Sequence, residues 1–206
     1  LFFNEKVCNL TEGIIPLLFE YQECYKGNSK LLPLIPLPIN TKKFKYKENI
    51  TTNKIKILHG ISRYGFKGSK YIEKAFQILK NKYPKKVEII ISNKLSLKDY
   101  LNLMEEVNIV VDQTNFYSYG MNAIQALAMG KVVLSGNEIE AMDAMNIKNS
   151  PIINILPNHE DIINKIESLI FQKNLISEIG YKSRKFVEKN HDHILIAEKF
   201  LKAWDG

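Results

Sequence analysis

Residues 107–135 read VNIVVDQTNFYSYGMNAIQALAMGKVVLS, and this stretch decides the fold. Val107 to Asp112 is an apolar run with an acidic end, the pattern of a buried strand. A polar loop from Gln113 to Tyr119 follows. Gly120 to Met129 is then a helix, in which Ala123, Ala126 and Ala128 allow close packing against a sheet. After Gly130 the chain turns apolar again from Lys131 to Ser135, a second strand. A strand, a helix and a strand joined by short loops form a parallel crossover.

The same alternation extends in both directions. Upstream, Ile55 to Gly60 is a short strand, and Ser69 to Lys82 is a helix with Ile72, Ala75, Phe76 and Leu79 on one face. Val87 to Ile91, closed by Ser92-Asn93, reads as a strand buried on both faces. Leu97, Tyr100, Leu101 and Met104 repeat at helical spacing behind a Ser96 cap. Downstream, Ile152 to Leu156 is a strand and His159 to Phe171 a helix. Two amphipathic helices, Leu175–Lys189 and His193–Trp204, close the chain. The expected fold is α/β, a doubly wound parallel sheet covered on both faces, which binds ligands at the carboxyl ends of its strands.

Residues 1–54 read differently. A strand over Lys6–Asn9 and a helix over Gly13–Tyr25 precede Leu31-Leu32-Pro33-Leu34-Ile35-Pro36-Leu37-Pro38-Ile39-Asn40. The three prolines fix an extended segment that is neither helix nor central strand. The expected division is a tail of a preceding domain and hinge over 1–40, a polar linker over 41–54 and a binding domain over 55–206.

Composition narrows the partners. At 206 residues and 45% hydrophobic, the chain buries one substantial core. Cys8 and Cys24 have neither a disulfide framework nor metal-ligand spacing, so two reduced thiols are expected, one of them in a strand. No run reaches the ~20 apolar residues of a membrane span. The sequons at Asn9 and Asn49 carry little weight without a secretory signal, and the expected setting is bacterial and cytoplasmic. The net charge of +7, from 29 basic and 22 acidic residues, admits nucleic acid or an anionic membrane surface. The lysines are scattered, however, and no aromatic residues interleave with a basic stripe, so nucleic acid is not the expected partner. Abundant Lys, Ile and Asn also matches an AT-rich genome.

Two loops carry the chemistry. In His59-Gly60-Ile61-Ser62-Arg63-Tyr64-Gly65-Phe66-Lys67-Gly68, glycines let backbone N–H groups approach an anion ahead of a helix N-terminus. Arg63 and Lys67 are suited to pair with diphosphate oxygens, Arg as a planar fork and Lys as a point charge. The loop is neither G-x-G-x-x-G nor a Walker sequence. In the second loop, Gly120, Met121 and Asn122 place free N–H groups at a helix start, and Gln125 reaches the same end. Solvated cations on a glycine turn, and a packed helix with a polar border, are the bland alternatives.

Together these stretches resemble the C-terminal domain of the GT-B fold retaining glycosyltransferases of family 4. The residues carrying the resemblance are Gly60, Arg63 and Lys67-Gly68, then Ser118-Tyr119-Gly120, Gln125-Ala126-Leu127-Ala128-Met129-Gly130 and Lys131-Val132-Val133-Leu134. It spans roughly residues 31–205, with Pro36-Leu37-Pro38-Ile39 similar to the hinge leaving the N-terminal domain. It implies retaining transfer from a nucleoside-diphosphate sugar to a glycan, lipid or protein acceptor, without a metal, in a cleft between two Rossmann-like domains. Arg63 and Lys67 would stabilise the departing diphosphate as the catalytic cations. Gly60, Tyr117, Ser118, Tyr119, Gly120, Met121, Asn122 and Gln125 would hold the nucleotide sugar. Because such enzymes meet membrane-bound acceptors, the basic surface would favour a peripheral contact with the inner face of the membrane.

The departures are specific. The family's two glutamates fall on Tyr117 and Gln125, and Arg63 aligns only with a one-residue gap. A non-catalytic nucleotide-binding or interaction domain is therefore the competing reading, and a flavodoxin-like or receiver domain a distant third. Since the chain begins at Leu1, most of an N-terminal domain is expected to lie elsewhere, and this piece alone is expected to transfer little or nothing. His191-Asp192-His193 reads as structural, His59 as a packing residue, and Glu138 and Glu140 as loop carboxylates near the donor or in solvent.

Overall fold

The computed structural model describes residues 2–61 and 64–205, the side chains of residues 2–5 excepted. Two short helices, α1 (Phe2–Leu10) and α2 (Phe19–Cys24), come first, followed by a 3-10 turn at Thr41–Lys43. The alternating part then runs β1 (Ile55–Ile61), α3 (Ser69–Lys82), β2 (Val87–Asn93), α4 (Leu97–Glu106), β3 (Ile109–Val111), α5 (Met121–Ala128) and β4 (Val132–Ser135). It continues with α6 (Ile139–Ala144), β5 (Ile153–Asn154), α7 (His159–Phe171), α8 (Asn174–Asn190) and α9 (His193–Trp204). The strands form a parallel sheet in the order β2-β1-β3-β4-β5. It is the doubly wound, Rossmann-like layer structure that the sequence predicts.

The alternation of side chains along each strand divides the core in two. Ile55, Ile57, Ile109, Val111, Val132 and Leu134 point to one face, where they meet Ile72, Phe76 and Leu79 of α3 and Ile162, Ile166 and Leu169 of α7. Leu58, Val110 and Val133 point to the other, against Met104 of α4, Ala123 and Leu127 of α5 and Phe186 of α8. Burying such a side chain fully contributes about 1.5–3 kcal/mol, so the central strands anchor both layers.

Several expectations give way. Residues 6–9, read as a strand, belong to α1. The helix expected over Gly13–Tyr25 is reduced to α2, because Ile14 is held extended by a bridge to Leu31 and Pro16 removes a donor. Neither cysteine lies in a strand; Cys8 is in α1 and Cys24 is exposed at the end of α2. β2, expected to be buried on both faces, is an edge strand with Ile91 44% exposed. α6 was not expected at all.

Residues 41–49 are tied into the base of the fold. Asn49 and Asn108 bond each other's side chain and backbone, both at 2.8 Å, and both are buried. Arg184 donates to the carbonyls of Phe44 at 2.7 Å and Ala128 at 2.9 Å, which places a cation at the C-terminal end of α5. Gly180 of α8 lets that helix approach α5, since a Cβ there would overlap the carbonyl oxygen of Gly130. Gly180→Ala is accordingly expected to destabilise the fold by about 1–3 kcal/mol, read as a lower urea midpoint at unchanged slope.

Candidate functional site

The strand order places a switch point between β1 and β3. From β1 the chain moves to β2 on one side, then returns across β1 to β3 on the other. In such sheets the crevice outside the carboxyl ends of the strands at the switch is the ligand site. Here β1 ends in Gly60-Ile61, β3 runs into Asp112, and the N-terminus of α5 lies beyond them.

Asp112 organises this crevice. Its side chain is 1% exposed, and Oδ1 accepts from Lys67 Nζ at 2.7 Å and from Asn122 Nδ2 at 2.8 Å. Lys67 reaches it because Gly68 turns the chain left-handed at φ 74° just before α3, where any side chain would also overlap Thr114. The Lys67 carbonyl accepts from Thr114 N at 2.9 Å, so the two loops are stitched together at the cation. Asp112 Oδ2 and the Tyr100 hydroxyl are buried without hydrogen-bond partners among the described residues. Burial first, then the charge of Asp112, pushes the Tyr100 phenol well above its usual pKa, so it is a neutral donor. Unsatisfied buried oxygens of this kind cost about 1–3 kcal/mol each and mark places where a ligand can add hydrogen bonds.

A cavity of about 420 Å³ opens on this cluster. Gly60, Lys67, Asn122 and Gln125 line it together with Tyr100 and the Asn93-Lys94 turn. Gly120 caps α5 without a side-chain bond, leaving first-turn N–H groups that the helix cannot satisfy internally. The crevice thus offers an ammonium with N–H groups to spare, a helix N-terminus and side-chain amides, a set matched to phosphate oxygens.

The other sequence candidates fall elsewhere. Tyr117 is 48% exposed and lines a second cavity, of about 500 Å³, on the far side of the loop. Ser118 is buried: its N–H donates to Glu20 Oε1 at 2.8 Å and its Oγ accepts from Phe19 N at 3.2 Å. Tyr119 is 1% exposed, and its hydroxyl donates to His191 Nε2 at 2.9 Å. Met121 is exposed at the start of α5. Arg63 lies outside the described residues.

Sequence reasoning did not place Asp112 and Tyr100 in this site. The only signal for Asp112 was a carboxylate closing an apolar strand beside a glycine-bearing neighbour. His59 is a packing residue: Nδ1–H donates to the Val111 carbonyl at 2.8 Å, and Nε2 accepts from Ser69 at 2.9 Å. Burial lowers its pKa and keeps it neutral. His191 is likewise structural, with Nδ1–H donating to the Leu37 carbonyl at 2.8 Å. No cluster of three or more metal-ligating side chains occurs among the described residues, and no described helix is long and apolar enough to cross a membrane.

No family model and no curated protein sequence matches the chain. Solved structures do match. HepE from Anabaena, crystallised with UDP and glucose, superposes at a TM-score of 0.71 and 14% identity, over 95% of this chain and 63% of that one. A variant of TarM from S. aureus, solved with UDP among its ligands, gives 0.74 and 15%, over 97% and 45%. A glycosyltransferase from Rickettsia africae gives 0.68 and 18%, over 94% and 62%. The chain therefore spans less than two thirds of the length of each. At these identities the likeness is one of fold, the GT-B type with its helix-covered parallel sheet.

Proposed function

We propose that this chain is the donor-binding part of a retaining glycosyltransferase of the family 4 kind, which transfers a sugar from a nucleoside-diphosphate sugar. The observation that carries the reading is the convergence of Gly60, Lys67, Asn122 and Gln125 with the α5 N-terminus on one cavity at the sheet's switch point. Lys67 would use one N–H on Asp112 and direct the others to diphosphate oxygens, with Arg63 as a second cation. Gly120, Met121 and Asn122 would add backbone amides, and Gln125 would meet the ribose. Loop residues 117–119 would border the sugar by shape alone, since the Ser118 and Tyr119 side chains, the Ser118 N–H and carbonyl and the Tyr117 carbonyl are held by the protein itself. UDP bound by HepE and TarM supports a nucleotide of this class.

In this reading residues 1–40 belong to a preceding domain, 41–54 to a linker and 55–206 to the donor domain. The acceptor would be a glycan, lipid or protein, met in the cytoplasm and in part at the membrane surface. The absence of a carboxylate at Tyr117 and Gln125 favours one alternative, a domain of the same fold that binds a nucleotide without turnover.

The test is calorimetric titration with UDP, GDP and ADP without added metal, beside Arg63→Ala/Lys67→Ala. Saturable binding of one nucleotide, lost in the double variant, is the expected result. Binding without sugar transfer by the full-length protein would support the non-catalytic alternative. Absence of binding by that full-length protein to any of the three would overturn both.

A further inference from the structure

Loop 112–122 divides the carboxyl rim of the sheet into two cavities of opposite chemistry. The cavity over β1 and β2 is lined by Lys67 and Lys94, and the carboxylate beneath it, Asp112, is paired with Lys67. The other, of about 500 Å³, lies beyond the ends of β3, β4 and β5. Phe116, Tyr117, Glu138, Glu140 and Asn115 line it, and among the described residues no lysine or arginine does. Neither glutamate has an ion-pair partner among the described residues. The aromatic wall is braced from outside: Phe66 packs on Phe116 with ring centroids 4.6 Å apart, and Phe19 on Tyr117 at 5.5 Å. Glu138 N donates to the Tyr117 carbonyl at 3.0 Å, which fixes the carboxylate loop against the aromatic one.

We infer that this second cavity is a saccharide subsite for a neutral or amino-bearing sugar ring, which serves as the acceptor if the glycosyltransferase reading above is right. A pyranose presents an apolar C–H face and a rim of hydroxyl donors. Aromatic faces cover the first, and carboxylate and amide oxygens accept from the second. Two uncompensated carboxylates repel phosphate and uronate groups and attract an ammonium. The rim is thereby sorted by charge, with the diphosphate over β1 and β2 and the uncharged or cationic sugar over β4 and β5. Tyr117, which stands where a family glutamate is expected, supplies a stacking surface at the boundary between the two.

Saturation-transfer difference NMR on this chain tests the inference with methyl glucoside, glucosamine and glucuronate as separate probes. The first two are expected to receive saturation, and glucuronate several-fold less. Glu138→Gln/Glu140→Gln, an isosteric change, should remove the preference for glucosamine over glucuronate. Phe116→Ala should weaken all signals several-fold. Neither variant should alter UDP affinity. Equal signals from glucuronate and glucosamine in the wild type, no signal from any probe, or variants indistinguishable from the wild type would each overturn the subsite. Failure of UDP to bind the full-length protein would count against the nucleotide reading alone, so the two failures remain distinguishable.

Discussion

Lys67→Ala is expected to lower the affinity for a nucleoside diphosphate by about 100- to 1,000-fold, a loss larger than one missing cation explains. A charge-assisted hydrogen bond contributes about 1.5–3 kcal/mol, or roughly 10- to 100-fold. The rest comes from Asp112. With Lys67 gone, a carboxylate 1% exposed keeps, among the described residues, the Asn122 amide alone and presents an uncompensated negative charge to the incoming diphosphate. The double variant Lys67→Ala/Asp112→Asn should therefore bind UDP about tenfold more tightly than Lys67→Ala, because the repulsion is removed while the attraction stays lost. Calorimetry on the three proteins, well below the melting temperature of the least stable, measures this. A single variant within threefold of the wild type, or a double variant no better than the single one, would remove Lys67 and Asp112 from the anion site.

The second large effect is on stability. His191 is 1% exposed, and its imidazole must give Nδ1–H to the Leu37 carbonyl and take the Tyr119 hydroxyl at Nε2, which defines a neutral ring. Burial, chiefly, and the charge of Lys199 hold its pKa down to about 4 against an ordinary 6.5, although the Leu37 carbonyl opposes the shift. Because the folded value is the lower one, the unfolded chain binds the extra proton as pH falls. Stability is then complete above about pH 6.5 and declines through the window down to about 4, by roughly 3 kcal/mol in total. His59, shifted in the same direction, adds to the slope. Urea midpoints at pH 7.5, 5.5 and 4.5 should fall steadily, and His191→Asn should flatten the profile even though it lowers stability at neutral pH. A wild-type midpoint constant across that range would refute the account.

What was legible in the sequence followed from short-range pattern. The apolar runs at 55–60, 107–112 and 131–135 became β1, β3 and β4, because strands buried on both faces admit few polar residues. Gly60, Lys67, Asn122 and Gln125 share a cavity because strand ends and helix starts meet at a switch point whatever the rest of the chain does. Side-chain direction within the loop was not legible. Ser118 is claimed by Glu20, 98 positions away, and Tyr119 by His191, 72 positions away, and no local periodicity encodes either partner. The α6 helix was missed because it buries only Ala141 and has no amphipathic stripe to read. The edge position of β2 depends on strand order, which composition leaves open.

The stitch between Leu37 and His191 also bears on the order in which the fold is made. Leu37 and His191 are 154 positions apart, and beside them Ile39 exchanges backbone hydrogen bonds with His191 and His193 at 2.8 and 3.1 Å. A chain emerging from the ribosome can form the β1-α3-β2 unit as soon as its own residues are out, since those contacts are local. Leu32 and Ile35 already donate to the Ile14 and Pro16 carbonyls upstream, but the Leu37 carbonyl and both backbone groups of Ile39 must wait until residues 191–193 have been synthesised. Docking of α8 and α9 thus follows formation of the β1-α3-β2 unit, and it is what secures the extended segment around Leu37 and Ile39.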